Sequence, residues 1–258
     1  MSEGPGLTAL VLAGTRPGGD PLAQQNGVTH KALLQIEGST MLARVVAALR
    51  EVPQVARIVV ITERADLLQT LPAGQKPVSM LQAGRGPSAS VSLALQSLGA
   101  PLLVTTADHA LLQPEWVQEF LAADPGDADA LIGLARREAV MSAAPGTLRT
   151  WLRFSDGDYS GCNLFLLRTA ATQGILALWQ ELEAARKRPL TLLRRLGLSY
   201  VLRYRMGRLT LDAALARLGQ LCGARIRPVI LSDGRAAIDV DKPEDLVLVR
   251  QLAAARRA

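Results

Sequence analysis

Ala9-Leu10-Val11-Leu12-Ala13-Gly14-Thr15-Arg16-Pro17-Gly18-Gly19 is the stretch that decides the fold: a short β-rich run, Ala9 to Leu12, that breaks off into glycines. A glycine-rich turn at the carboxyl end of a sheet strand lets backbone N–H groups approach phosphate oxygens. The same glycines would also serve a plain tight turn from strand to helix. No Gly-Lys-Ser/Thr follows, so this is not a P-loop, and the glycine spacing is not that of a dinucleotide fingerprint.

Working outward, β-rich runs alternate with amphipathic helical stretches, the signature of βαβ units and a parallel sheet. Strands are predicted at Arg57 to Ile61, Val78 to Leu81, Leu102 to Thr106 and Ala130 to Leu134. Ser39 or Thr40 can cap a helix running to about Glu51, Ser88 can start another, and Gln113-Pro114-Glu115 has the proline and acid of a first helical turn. After residue 148 the rhythm changes. Two strands are expected at Leu148 to Phe154 and Cys162 to Leu167, then helical sequence over 172–223, then strands at Arg225 to Leu231 and Ala236 to Val240. A last helix starts at Lys242-Pro243-Glu244-Asp245, with proline in its first turn and carboxylates at the positive end of the helix dipole. The expectation is an α/β fold: a doubly wound, mostly parallel sheet with a helical insertion, 172–223, inside one domain spanning 1–258.

Composition narrows the classes. A chain of 258 residues, 49% of them apolar and 20% charged, has the makings of one ordinary folded α/β domain. The N-terminal sequence has no basic leader with a cleavage pattern and no apolar run long enough to span a bilayer, so a cytoplasmic location is expected. Cys162 and Cys222 are too few for a disulfide framework and are expected as reduced structural thiols. The formal net charge of +6 is compatible with nucleic acid, anionic membrane or phosphorylated small molecules. With only three each of Trp, Tyr and Phe, none interleaved with basic residues as an aromatic stacking platform for nucleic acid would require, phosphate-bearing small molecules are the better expectation.

The segment His30-Lys31-Ala32-Leu33-Leu34-Gln35-Ile36-Glu37-Gly38-Ser39-Thr40-Met41-Leu42 makes this specific. With the preceding turn it resembles the nucleotidyltransferase superfamily that includes the molybdenum-cofactor nucleotidyltransferases, the cytidylyltransferases of isoprenoid synthesis and the nucleotide-sugar pyrophosphorylases. That signature runs roughly LAAGxGxRM, PKxL, IxGxPML, and LAGTRPGG, HKALLQIEG and STML stand here in the same order. The resemblance implies a nucleotide-diphospho-sugar transferase-like fold, nucleotide contacts from Leu12, Ala13, Gly14 and Thr15, and an α-phosphate contact from Lys31, with Arg16 as a second catalytic cation. A lysine charge placed there can stabilise the negative charge that develops during attack. The chain departs from the pattern in its longer loop between Gly14 and Lys31, in the early arrival of Arg16 and in having His30 where the family has proline. His30 is expected to pack or hydrogen-bond, and Asp20 has no assigned role.

Acids stand where such chemistry would use magnesium. Asp108 follows the fourth predicted strand in Thr105-Thr106-Ala107-Asp108-His109, where ligands of open α/β sheets bind and where the family has its metal-binding aspartate. Its bland alternative is a cap for the helix near Pro114. Ala237-Ile238-Asp239-Val240-Asp241-Lys242-Pro243-Glu244-Asp245-Leu246 resembles the family's closing DIDTPEDL, and in an extended strand Asp239 and Asp241 share one face. Carboxylates, triphosphate oxygens and waters meet the octahedral oxygen preference of Mg2+. Asp239 is the favoured ligand, with Asp241 either sharing the site or capping the last helix.

Gln82 to Leu95 is similar to the stretch with which related cytidylyltransferases hold base and phosphates. It offers the Arg85 fork and serines, Ser90 among them, near a helix N-terminus, though a capped helix after a loop would look alike. This similarity puts CTP first and GTP second. Asn163 is the best candidate for acceptor binding, against a plain turn residue, and His109 is kept as an acceptor contact. The reaction so implied is transfer of a nucleotidyl group from the triphosphate to a small phosphorylated acceptor. A metal-dependent glycosyltransferase and a catalytically silent nucleotide-binding protein are the rivals. Finally, residues 186–208 carry eight basic residues and no acid. A helical pair solvating its arginines, serving as scaffold or as a homodimer contact, and a segment leaning on an anionic membrane are both open readings.

Overall fold

Buried apolar alternation builds the sheet. In the computed structural model, which describes residues 6–15, 18–184 and 197–256, β1 (Leu7–Leu12) sends Ala9 and Val11 to one face and Leu10 to the other. β4 (Val55–Thr62) divides in the same way, Ile58 and Val60 against Val59 and Ile61. A strand buried on both faces needs helices on both faces. α2 (Met41–Glu51), α4 (Pro114–Ala122), α5 (Arg137–Ala143) and the last helix, α9 (Pro243–Ala255), cover one side; α3 (Pro87–Leu98) and α6 (Thr172–Ala184) cover the other.

The other main strands are β5 (Val78–Gln82), β6 (Leu102–Thr106), β7 (Ala130–Arg136), β9 (Gly157–Leu167) and β10 (Ile226–Leu231). Their order is β10-β7-β9-β6-β1-β4-β5, with the short β8 (Leu152–Phe154) paired to β9. β9 runs antiparallel to both β6 and β7, and the remaining pairs on this path are parallel. The mostly parallel, doubly wound sheet is therefore as expected. Two minor strands, β2 (Gln35–Ile36) and β3 (Ser39–Thr40), make a hairpin just ahead of α2, and Thr40 caps α2 by accepting from the Ala43 N–H at 3.1 Å.

Three sequence readings are corrected. Ala236 to Val240 is not a strand: Asp233 caps a 3-10 turn, Gly234–Ala237, that packs against α5. Gly234 is needed there, since a Cβ would lie 2.2 Å from the Ala139 backbone. The expected strand at Leu148 to Phe154 shortens to Leu152–Phe154 because Arg149 turns inward to the carbonyl oxygen of Ala237. α3 begins at Pro87, with Gly86 rather than a serine at its cap. Within 172–223, the described residues form α6, α7 (Leu198–Arg205) and α8 (Leu211–Cys222). Of the basic run 186–208, residues 186–196 lie outside the described residues, as does Arg16.

Candidate functional site

Parallel strands end on one edge, and there the site is assembled. The ladders continue past the strands: the Ala13 N–H donates to Ile61 O at 3.0 Å and the Ala107 N–H to Leu12 O at 2.9 Å. The exposed Gly14 and Thr15 are thus set between the ends of β4 and β6. The C-terminal segment is stitched to the same edge by the Val240 N–H, which donates to Asp108 O at 3.1 Å. Although it forms no strand, this segment keeps an extended alternation: Ile238 and Val240 are fully buried, while Asp239 and Asp241 are turned to Arg149 and Lys31.

Lys31 is the centre of the arrangement. His30 caps the 3-10 turn Lys31–Leu33, its Nδ1 accepting from the Ala32 N–H at 3.0 Å, and this fixes the direction of the lysine. Lys31 Nζ then lies 2.8 Å from Asp108 Oδ2 and 3.0 Å from Asp241 Oδ1. Burial disfavours its charge, but the two aspartates outweigh burial and hold the ammonium above the usual lysine value. The reading of Asp108 as a cap for α4 is therefore set aside, and so is that of Asp241 as a cap for α9. Asp245 performs the latter task, accepting from the Asp241 N–H at 3.1 Å and the Lys242 N–H at 3.0 Å.

Asp239 is held differently. Arg149, only 8% exposed, donates to Asp239 Oδ1 through Nη1 and to Asp245 Oδ1 at 2.9 Å through Nη2. Asn163 Nδ2 donates to Asp239 Oδ2 at 2.8 Å. Asn163 sits at positive φ, 49°, where β9 bulges opposite Gly133 of β7. Asparagine tolerates this region better than most residues, and the bulge aims its amide at the carboxylate. Burial and the neighbouring Asp108 raise the Asp239 carboxyl above its ordinary value, and Arg149 offsets this in part.

The donor set fits a hard divalent cation. Asp108 Oδ1 is a buried carboxylate oxygen with no hydrogen-bond partner, and two further carboxylates stand near it, Asp239 within reach of its charge and Asp241 across Lys31. Among the described residues no three acids, histidines or cysteines form a ready-made metal cluster. Magnesium seldom uses one, since phosphate oxygens and waters complete its shell.

Other expected residues fall elsewhere. His109 is fully buried, with its ring stacked on Trp116 at 6.1 Å; it faces the core and not an acceptor. Burial pushes its imidazole down to about 4. Since the unfolded chain binds that proton near the ordinary value of 6.5, stability is full above 6.5 and falls as pH drops from 6.5 through 4, by about 3 kcal/mol. Urea unfolding between these pH values should therefore show a steeper loss for the wild type than for His109→Gln; equal slopes would mean that His109 is not buried neutral. Ser90 is turned inward as well, donating to Gly86 O at 2.8 Å and accepting from the Gly84 N–H at 3.0 Å, so it shapes the loop that carries the exposed Arg85. At the α3 N-terminus the buried Ser88 donates to Glu183 of α6 at 2.5 Å, which places a carboxylate where the helix dipole favours an anion.

Sequence reasoning missed Arg149, Glu63 and Glu183. Glu63, just past β4, accepts from the Thr15 N–H at 3.2 Å with both carboxylate oxygens and lies 3.7 Å from His30. Its place at a strand's carboxyl end was a usable signal. Asp20, without a role in the sequence, caps α1 (Pro21–Gln25).

A glycine-rich turn, a buried lysine and carboxylates on the carboxyl edge of a mixed sheet define a nucleotidyltransferase-like α/β protein. Residues 9–197 match the family model described as the MobA-like NTP transferase domain, and the chain belongs to this family. A hypothetical transferase structure from Thermus thermophilus is similar at 29% identity and TM-score 0.79, covering 94% of this chain and 100% of its own. CMP:2-keto-3-deoxy-manno-octonic acid synthetase complexed with CTP shares the fold at 16% identity and TM-score 0.59, covering 97% and 98%. So does 2-C-methyl-D-erythritol 4-phosphate cytidylyltransferase, also from Thermus thermophilus, at 20% identity and TM-score 0.52, covering 97% and 100%. No curated protein matches the chain in sequence.

Proposed function

We propose that this chain transfers a cytidylyl group from CTP to a small phosphorylated acceptor and releases pyrophosphate. The observation that carries this reading is the convergence of Lys31 on Asp108 and Asp241 beside the Gly14–Thr15 turn. An ionised acceptor phosphate is already a nucleophile, so no general base is required. One of its oxygens attacks the α-phosphorus in line, and the bond to the pyrophosphate oxygen breaks as the new bond forms. The Gly14 N–H, the Thr15 N–H on exchanging Glu63 for a phosphate oxygen, and Lys31 hold the triphosphate, with Arg16 and Arg85 as further cations and Asn163 near the acceptor. Positioning and preorganised charge supply most of the acceleration. Mg2+, held by Asp108 and Asp239, with Asp241 as the third oxygen donor, would neutralise developing charge on the phosphates.

The choice of CTP rests on the Arg85 loop and on the fold shared with two proteins named for CTP or cytidylyl transfer. Pyrophosphate release from CTP and GTP, measured with Mg2+ across a panel of sugar, polyol and cofactor phosphates, tests it. CTP should give the faster release with at least one acceptor. Release from GTP alone would overturn the cytidylyl assignment, and no release from either would overturn nucleotidyl transfer.

A further inference from the structure

α7 carries its apolar residues on the wrong side for a helix that stabilises the fold. None of its residues is buried. It is tied down by two tyrosines: Tyr204 accepts from the Arg153 N–H at 3.3 Å and meets Phe154 edge-on at 5.6 Å, while Arg217 of α8 lies 5.3 Å from the Tyr200 ring. Leu198, Leu202 and Met206 are spaced by four residues, and the tyrosines stand two residues further on, about 200° round the helix. The apolar stripe therefore points away from the protein, with Leu198 73% exposed, Leu202 54% and Met206 50%. Arg203, Arg205 and Arg208 accompany it, all exposed, and residues 197–211 include no acid. Among the described residues no helix is long and apolar enough to cross a membrane.

We infer that α7 is an interfacial helix that docks the protein on an anionic lipid surface. An exposed apolar stripe beside arginines suits a surface with acyl chains beneath negative headgroups, the geometry of a helix lying in the membrane plane. A second copy of the chain fits it poorly. Two α7 faces laid together would bring arginines against arginines with no carboxylate between them, whereas anionic headgroups complement the same charges. α7 is tied to β8, which pairs with the start of β9 at the carboxyl end of β7, but vesicle binding is read without nucleotide, so the inference stands or falls independently of the nucleotide chemistry.

The test is co-sedimentation of the full chain with vesicles of equal parts phosphatidylcholine and phosphatidylglycerol, at low and high salt, beside vesicles of phosphatidylcholine alone. Binding is expected to the anionic vesicles at low salt and to weaken as salt screens the arginines. Arg203→Gln combined with Arg205→Gln should reduce partitioning about 30-fold. Leu198→Ser combined with Leu202→Ser should reduce it more than about 10-fold. Both pairs are at exposed positions, and circular dichroism should report unchanged folding. No binding to anionic vesicles at low salt, equal binding to neutral vesicles, or binding unaffected by both pairs would overturn the inference. So would a dimer in sedimentation velocity that Leu198→Ser with Leu202→Ser converts to monomer, since the stripe would then belong to a second copy.

Discussion

Lys31→Ala is expected to lower turnover with saturating nucleotide by about 10²- to 10³-fold, the usual effect of removing one preorganised charge-stabilising donor. Three observations support an effect at the upper end. The side chain is largely buried at 18% exposure, its ammonium is fixed at 2.8 and 3.0 Å between two carboxylates, and those carboxylates hold it in the charged form. It arrives at the reaction already oriented and ionised. Arginine should not substitute, because a planar fork on a longer side chain cannot occupy the place of a compact point charge between Asp108 and Asp241. Steady-state turnover of Lys31→Ala and Lys31→Arg, with thermal unfolding as a control for folding, is the measurement. Turnover near that of the wild type in Lys31→Ala would remove Lys31 from the catalytic machinery.

How much of this was legible in the sequence differs from part to part. The runs that became β1, β4, β5, β6 and β7 are short, largely apolar and bounded by turn formers, so periodicity and length sufficed to place them. Lys31, Asp108, Asp239 and Asp241 were picked out because each stands in a stretch that resembles a known signature, and the structure brings Lys31 against Asp108 and Asp241. The conformation around Asp239 was not legible. Ala236 to Val240 has the alternation of a strand, but Gly234 lets the preceding residues press onto the α5 backbone in a 3-10 turn, a tertiary contact with no local signal. Arg149 was hidden for a similar reason. Its partners Asp239 and Asp245 lie 90 and 96 residues further along, and in the sequence it is one arginine among many in a segment resembling a strand. His109 shows the opposite failure: its neighbour Asp108 made it look functional, although successive residues leaving a strand face opposite ways and His109 faces the core.

The three aspartates should respond differently to substitution, and the order follows from how each is held. Asp108→Ala is expected to abolish magnesium-dependent activity, a loss of about 10³-fold or more, because it removes the oxygen acceptor at the end of β6 that has no other partner and also releases Lys31. Asp239→Ala should be more damaging than Asp241→Ala. Asp239 is fixed by Arg149 on one oxygen and by Asn163 on the other, a preorganised carboxylate at 22% exposure, whereas the Asp241 side chain is 49% exposed and held by Lys31. The fold should survive the loss of Asp239, since Arg149 keeps Asp245 and the backbone carbonyl of Ala237 as partners and is not left as an unpaired buried charge. Arg149→Ala should behave differently, stranding two carboxylates and destabilising the protein by about 3–5 kcal/mol. Turnover as a function of Mg2+ concentration for each aspartate variant, read beside urea unfolding, separates metal binding from support of the fold. If Asp241→Ala proves the more damaging while Asp239→Ala retains activity, the metal position passes to Asp241, and Asp239 becomes a structural partner of Arg149.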